Sequence, residues 1–281
     1  MSANPSPLSQ RPTRPVFTTD RLGLTVTFLL LSVSAISWAI TYYTMPLMTM
    51  DPSNSGMVMG VASLVSSLSL TSISLFELVW VVGMVAMMFP AMIPVVVFYN
   101  KVATRIESNP AVAKAIGTPL FLMGYLATYA GLGLLVYFAV FFAVRASSLL
   151  PTLSSFALFA PSLVLIFTGI YQLSPLKSRC LSHCISPLGF FAVHSQKGLL
   201  GSIRMGLSHG KYCVGCCWAY MLVMFVVAVM SLPFMAILAA VIASEKVIIR
   251  GAAWFTNTVA AGFILLGVVA LFVPNTLFMA L

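Results

Sequence analysis

Long apolar runs separated by short polar stretches dominate the chain. A helix needs roughly 20 residues to cross a hydrocarbon core of about 30 Å. Six runs approach or exceed that length, at residues 22–45, 75–99, 118–144, 154–174, 213–243 and 252–275. None shows the strict alternation of apolar and polar residues that is typical of membrane barrels. The pattern therefore predicts an all-α fold, a polytopic membrane protein with a six-helix transmembrane bundle.

Composition supports the same class of protein. Apolar residues make up 60% of the chain and charged residues 7%, whereas soluble domains carry roughly 25% charged residues. A soluble globular domain is thereby excluded. We expect a multi-pass protein of the cell membrane, with the lipid bilayer as its surroundings.

The net charge of +9 indicates an orientation. If the N-terminus lies inside, eleven of the fourteen lysines and arginines fall on the cytoplasmic side, in residues 1–21, 101–114 and 175–212. The other three are Arg145, Lys246 and Arg250. This positive-inside bias predicts an N-in/C-in topology. Basic residues are not interleaved with aromatic ones in a patch, so no nucleic-acid partner is predicted.

The polar segments divide the membrane region. Residues 1–21 are rich in proline and serine and are predicted to be a disordered cytoplasmic tail. Transmembrane helices 1–4 occupy 22–174, and a Met-rich external loop is expected at 45–74. Its methionines could bind Cu(I) through their thioethers. They could equally be flexible apolar residues that lie on the bilayer or on a partner.

The second run combines an acid with methionines on one helical face. Glu77 lies near its outer end, where an intramembrane carboxylate is a functional candidate. Three methionines follow at intervals of four residues: Met84, Met88 and Met92. Pro90 and Pro94 predict a kink in the inner half. This helix either lines a path for an ion or is a packing kink with methionine filling.

All five cysteines and all three histidines fall between residues 180 and 217. They belong to a predicted cytoplasmic Cys/His linker, 175–212, and to the start of transmembrane helices 5–6, 213–281. Thiolate and imidazole are ligands of soft and borderline metals. Cytoplasmic thiols stay reduced, which favours a metal or redox role over disulfides. The candidate ligands are Cys180, Cys184, Cys213, Cys216, Cys217, His183 and His209.

These residues form two groups that could share one ion. Cys180 and Cys184 stand four residues apart and so share one helical face. His209, Cys213 and Cys217 repeat that spacing, with Cys216 beside them. Two thiolates from each group would complete a four-ligand site, with either Cys216 or Cys217 as the fourth. The bound cofactor is expected to be a metal ion, Cu(I) or Zn(II).

The cysteine row continues along the fifth run as a methionine stripe. Met221 and Met224 follow at steps of three and four, and Glu245 is expected at the outer end. The second and fifth runs thus share methionines on one face, a proline and a glutamate. A path for a soft ion would consist of Glu77, Met84, Met88, Met92, Met221, Met224 and Glu245.

The chain resembles a prokaryotic family described as predicted metal-binding integral membrane proteins. The matching stretches are WVVGMVAMMFPAMIP (80–94), YQLSPLKSRCLSHCISP (171–187), GKYCVGCCWAYML (210–222) and Glu245–Lys246. The order of the two cysteine motifs is the most specific part of this match. The resemblance implies a metal site at the cysteines and does not indicate a reaction.

No enzyme class is supported, because motifs for nucleophilic triads, phosphate-binding loops and zinc proteases are missing from the sequence. The first hypothesis is metal transport or delivery, with Cu(I) preferred because thioethers outnumber carboxylates along the candidate path. The alternative is a structural or assembly subunit of a membrane complex, with other membrane subunits as partners and a structural Zn(II) site. A third hypothesis is thiol redox exchange through the C-x-x-C-C motif.

Overall fold

The structure is a computed structural model, and it describes residues 21–49, 65, 68–106, 113–149, 159–226 and 231–272. These residues are almost entirely helical, and no strand occurs among them. The all-α part of the prediction is therefore confirmed. The predicted tail up to residue 20 and most of the Met-rich loop lie outside the described residues. Residues 45–49 of that loop instead continue the first helix, and its last five residues begin the second.

The described residues form nine α-helices. They are α1 Arg21–Thr49, α2 Leu70–Ile106, α3 Thr118–Leu149, α4 Ala160–Gln172, α5 Pro175–Ile185, α6 Pro187–His194, α7 Gly198–Val226, α8 Leu232–Ala243 and α9 Ala253–Phe272. Four of them, α1, α2, α3 and α9, are long and apolar enough to cross a membrane. They match four of the six predicted runs.

Helix α2 continues through both of its prolines. Pro90 has no N–H, so the carbonyl of Ala86 loses its partner within the helix. Two side chains of α1 replace that partner: Ser34 Oγ donates to the Ala86 oxygen at 2.8 Å, and Trp38 Nε1 donates to it at 3.0 Å. The proline therefore provides a polar anchor that fixes α1 against α2.

Helices α3 and α7 are parallel, and their backbones touch. A Cβ at Gly206 would lie 2.0 Å from the carbonyl oxygen of Phe121, and one at Gly210 would lie 2.5 Å from Thr128 Oγ1. Only glycine permits this approach. The close packing fixes the height of the α7 cysteines against the tyrosines of α3.

Helix α4 packs against both α7 and α9. A Cβ at Gly169 would lie 2.8 Å from the Ala260 carbonyl oxygen, and a Cβ at Gly267 would lie 2.9 Å from the Ser162 carbonyl oxygen. These pairs make α4 and α9 antiparallel. Thr168 Oγ1 donates to the Ala219 oxygen of α7, and Tyr171 Oη donates to the Gly215 oxygen, so α4 is also antiparallel to α7. Helices α7 and α9 therefore run in the same direction.

The fifth predicted run is not one helix, and this prediction is wrong. Helix α7 ends at Val226, and a new helix begins after Ser231, whose extended backbone precedes Pro233 in the first turn. Proline favours the first turn of a helix because its missing N–H costs nothing there. Helix α8 returns along α7, so that Lys246 lies beside Cys213. Residues 213–243 therefore form a helical hairpin. If they crossed only once, α9 would run opposite to α7, whereas the two helices run in the same direction.

The stretch predicted as a linker, 175–212, is also helical. It contains α5, α6 and the first half of α7. Lys177 is only 1% exposed, and Lys246 is 7% exposed. Both lysines were counted as markers of membrane topology, but their environment is the protein interior.

Candidate metal centre

Three thiols from two helices converge in the core. Cys184 of α5 and Cys213 and Cys216 of α7 are all buried, and their sulfur atoms lie within 4.8 Å of one another. The Cys184 and Cys216 sulfurs are 3.8 Å apart. With metal–sulfur bonds of about 2.3 Å, a trigonal site separates its sulfurs by roughly 4 Å. This thiol triad therefore has the spacing to hold one ion without movement of the backbone.

Local sequence signals place Cys184 at the end of α5. The Ser174 side chain accepts a hydrogen bond from the Lys177 backbone N–H at 3.2 Å, and Pro175 occupies the first turn. The helix then ends before Pro187, which begins α6. Cys184 consequently occupies the last turn and is buried beside α7. Hydrogen bonding to Cys213 and Cys216, together with burial, raises the pKa of the Cys184 thiol.

Cys180 lies beside the thiol triad and does not belong to it. It stands one turn before Cys184 and is half-buried. A Cβ at Gly215 would lie 2.7 Å from its sulfur, so this glycine lets α5 approach α7. Burial raises the pKa of the Cys180 thiol, and nearby Cys216 adds to the effect. Cys180 is therefore placed as a neighbour of the site.

The structure separates Cys216 from Cys217, between which the sequence left a choice. Cys217 Sγ donates to the Cys213 carbonyl oxygen at 2.9 Å and lies 3.6 Å from the Tyr129 hydroxyl. Cys216 Sγ also contacts that carbonyl, at 3.1 Å, but it faces Cys184 as well. Only Cys216 joins the three-sulfur group.

Cys213 has three polar neighbours that the sequence analysis missed. Lys246 Nζ donates to its sulfur at 2.9 Å, and the hydroxyls of Tyr125 and Tyr129 each lie 3.2 Å from it. Such donors stabilise a thiolate. Burial alone would lower the pKa of Lys246, but Cys213 and the other thiols of the cluster raise it above its usual value. The ammonium thus offsets part of the negative charge of the thiol triad.

Two signals could have identified these neighbours. Lys246 is a charged residue within an apolar stretch, and intramembrane charges are functional candidates, as Glu77 is. Tyr125 and Tyr129 are four residues apart, so their hydroxyls share a face of an otherwise apolar helix.

Glu245 forms a buried ion pair close to the thiol triad. Lys177 donates both to Glu245 and to Gln172, and the Lys177 and Glu245 side chains are 1% and 3% exposed. Thr256 Oγ1 donates to Glu245 at 2.9 Å, and Tyr220 Oη donates to it at 3.4 Å. Burial lowers the pKa of Lys177, while Glu245 opposes that shift. Glu245 therefore lies near the cysteines, whereas the sequence placed it at the opposite end of the fifth run.

A π-helical turn, Ser244–Ile248, presents both charges. Adjacent residues in a helix point in different directions, so Glu245 reaches Lys177 while Lys246 reaches Cys213. Isolated π turns are frequent at functional sites. The ion pair of Glu245 therefore holds the turn that positions Lys246.

The two candidate histidines lie outside the three-sulfur group. His183 is half-buried and stacks on Tyr212, with ring centroids 4.2 Å apart. His209 is 1% exposed and precedes Cys213 by one turn. The Nδ1 atom of His209 has no hydrogen-bond partner among the residues that the structure describes.

The predicted methionine faces lie in the core that contains the cysteines. Every methionine of the candidate path is at most 4% exposed: Met84, Met88, Met92, Met221 and Met224. One further methionine, Met235 of α8, is fully buried, and its Cε lies 3.6 Å from the Cβ position of Gly83. Met235 belongs to the fifth predicted run, and the hairpin brings it back against α2.

Glu77 differs sharply from Glu245. Both of its carboxylate oxygens are buried and have no hydrogen-bond partner within the described part of the chain. A Cβ at Gly133 would lie 2.7 Å from Glu77 Oε1. Trp80, one turn further along α2, donates through Nε1 to the Tyr129 carbonyl at 2.8 Å. Glu77 therefore lies against α3, one turn beyond Tyr129.

A protein-family model described as PpoB2, copper chaperone, matches residues 77–270 of the 281. The matched region includes the thiol triad, Lys246, Glu77 and Glu245. Comparisons with curated proteins and with solved structures find no match. The predicted resemblance to a metal-related family is therefore confirmed.

Proposed function

The chain belongs to the PpoB2 copper chaperone family, and on that premise we propose that it carries Cu(I) on the thiols of Cys184, Cys213 and Cys216. The observation that supports this most directly is the burial of three sulfurs within 4.8 Å of one another. Soft thiolate ligands suit Cu(I), which agrees with the copper chaperone family. Among the described residues, this close group consists of cysteines alone, so all of its candidate ligands are soft.

The Lys246 ammonium offsets part of the charge that the loaded thiol triad would carry. Three thiolates and one Cu(I) carry a net charge of −2, and the Lys246 ammonium at 2.9 Å from Cys213 reduces it to −1. Three sulfur ligands leave room for a further ligand from a donor or acceptor. The ion is thus cargo, which is passed on by ligand exchange.

We place this activity in a membrane. Four helices of membrane length support that location. We keep the proposed N-in orientation, with α5 and α6 on the cytoplasmic side, where thiols remain reduced. We do not propose a cytoplasmic C-terminus, which the sequence predicted, because α9 runs in the same direction as α7.

We propose that the buried methionines supply a route to the thiol triad. Thioethers bind Cu(I) and are poor ligands for harder ions. Met84 and Met88 of α2 and Met221 and Met224 of α7 share one apolar core with Cys213. Glu77, with its unpartnered carboxylate, is the ionisable group at the far end of this core.

The experiment is a Cu(I) titration of the purified full chain in detergent, in competition with a chromophoric Cu(I) chelator. The wild type is expected to bind Cu(I) tightly, and a C184S/C213S/C216S variant to lose that affinity. Cys217→Ser is the matched control, because Cys217 is buried on the same helix but bonds to a carbonyl. Equal affinity of wild type and triple variant would contradict the proposal. Tight Zn(II) binding with no Cu(I) binding would select the structural alternative.

A further inference from the structure

Two half-exposed histidines meet where α5, α6 and α7 join. His183 lies on the same turn of α5 as Cys184, and His194 is the last residue of α6. Their ring centroids are 6.3 Å apart, with the ring planes at 78°. Tyr212, next to Cys213 on α7, stacks on His183 at 4.2 Å and lies 5.7 Å from His194. The pair is therefore adjacent to the thiol triad and closer to the surface.

The hydrogen bonds of both rings fix the same nitrogen as the donor. His183 Nδ1 lies 2.9 Å from the Arg179 carbonyl oxygen, and His194 Nδ1 lies 3.2 Å from that of Phe190. A carbonyl can only accept, so Nδ1 carries the proton, and the Nε2 of each neutral ring keeps its lone pair. Metal-binding histidines typically show this arrangement, in which the other ring nitrogen donates to a carbonyl.

The separation of the rings suits one ion with two ligands. An imidazole nitrogen binds a first-row metal at about 2.0 Å. Adding the distance from each nitrogen to its ring centre gives roughly 6 Å between the centroids in a linear complex. The observed 6.3 Å agrees with that value. Linear coordination permits any angle between the ring planes, and so it accommodates 78°.

His209 is connected to this pair through Phe190. The Phe190 ring stacks on His194 at 4.8 Å and meets the edge of His209 at 5.0 Å. His209 is 1% exposed, and its Nδ1 lacks a partner in the described structure, which is costly for a buried polar atom unless a ligand uses it. One helical turn separates His209 from Cys213. The histidine pair, His209 and Cys213 thus follow one another from the surface inward, with Phe190 between His194 and His209.

We propose that His183 and His194 form a second Cu(I) site, an exchange site through which the cargo reaches or leaves the thiol triad by way of His209. This inference rests on the proposed function, because it takes Cu(I) as the cargo. Each step replaces one neutral or thiolate ligand by another at the same oxidation state. The histidine site binds more weakly than the thiols, as exchange requires, because it offers two neutral ligands against three thiolates.

The test uses the full chain in detergent with Cu(I) alone as the probe, in two backgrounds. In the C184S/C213S/C216S background, one Cu(I) should remain bound, and X-ray absorption should show nitrogen ligands without sulfur. Adding H183Q/H194Q should abolish that binding. In the wild-type background, H183Q/H194Q should leave the affinity of the thiol triad within about twofold and slow transfer to a chromophoric chelator about tenfold.

Ser195→Ala is the matched control, since Ser195 is exposed and adjoins His194; it should change neither measurement. A purely structural role of the histidines would leave no nitrogen-ligated copper in the C184S/C213S/C216S background. Absence of copper there, while the wild type still binds one Cu(I) through sulfur, would overturn the histidine site and leave the proposed function intact. A wild type that binds no Cu(I) would contradict the proposed function itself.

Discussion

The two ends of the buried core differ in how their polar groups are satisfied. Around the thiol triad, Cys213 has a lysine and two tyrosines as neighbours, and Glu245 has three donors. At the other end, Glu77 has buried oxygens without a partner in the described structure, among apolar side chains. Hydrogen-bond donors and an ammonium stabilise the thiolates of the first region, whereas the second region offers neutral thioethers and one carboxylate. In the proposed function, the first region binds the ion and the second passes it on.

The largest expected effect separates the two glutamates by their contribution to folding. Glu245→Gln leaves Lys177 unpaired in the interior, so the free energy of unfolding should fall by about 3–5 kcal/mol. Glu77→Gln removes a charge that has no partner, and stability should stay the same or rise. Chemical denaturation of the full chain, followed by helical circular dichroism, measures both variants. Equal losses of stability would remove the distinction between the regions. Restoring neutrality with K177M in the Glu245→Gln background should recover much of the loss.

The next effect concerns copper affinity at the thiol end. Cys213→Ser removes one of three ligands and the partner of Lys246, so Cu(I) affinity should fall by more than about a hundredfold. Competition against a chelator of known affinity measures it. Met88→Leu, which replaces a thioether in the same core by an apolar side chain of similar volume, should change affinity by less than about twofold. A similar fall for both would mean that the methionines bind the resting ion.

A smaller effect is expected from the ammonium near the thiols. Lys246→Met should weaken Cu(I) binding by about ten- to a hundredfold, because groups that support metal ligands typically contribute that much. Lys246→Arg keeps the charge and should recover part of the affinity. The same chelator competition applies. If Lys246→Met binds as tightly as the wild type, charge compensation is not part of the site.

The smallest effect at equilibrium is expected at the methionine end. The M84L/M88L variant should retain the affinity of the thiol triad and the stability of the fold, since the substitutions conserve volume. Loading of the thiol triad by external Cu(I) in reconstituted vesicles should be several-fold slower. A time course of chelator-resistant copper measures this. Unchanged loading would contradict the methionine route and leave the thiol site unaffected.

Sequence patterns predicted the features that depend on local chemistry. Four apolar runs are helices of membrane length, because burial and backbone hydrogen bonding leave few other options. The two cysteine groups of the sequence lie on adjacent helices, where Cys184 approaches Cys213 and Cys216, while Cys180 and Cys217 lie outside the three-sulfur group. Their clustering in sequence was sufficient to locate the candidate site.

The features that the sequence did not reveal depend on tertiary contacts. Continuous hydrophobicity through 213–243 hid the reversal at Pro233, since a hairpin buried in the core is as apolar as a single span. Without that reversal, Lys246 was assigned to the wrong side of the molecule. The choice between Cys216 and Cys217 depended on which sulfur faces Cys184, and spacing alone cannot decide it.

The most direct test is X-ray absorption at the copper edge, on the full chain loaded with one equivalent of Cu(I). A shared site of Cys184, Cys213 and Cys216 predicts three sulfur ligands at about 2.3 Å and a loss of one sulfur in Cys184→Ser but not in Cys217→Ser. A spectrum dominated by nitrogen or oxygen ligands in the wild type, or one that Cys184→Ser leaves unchanged, would contradict it.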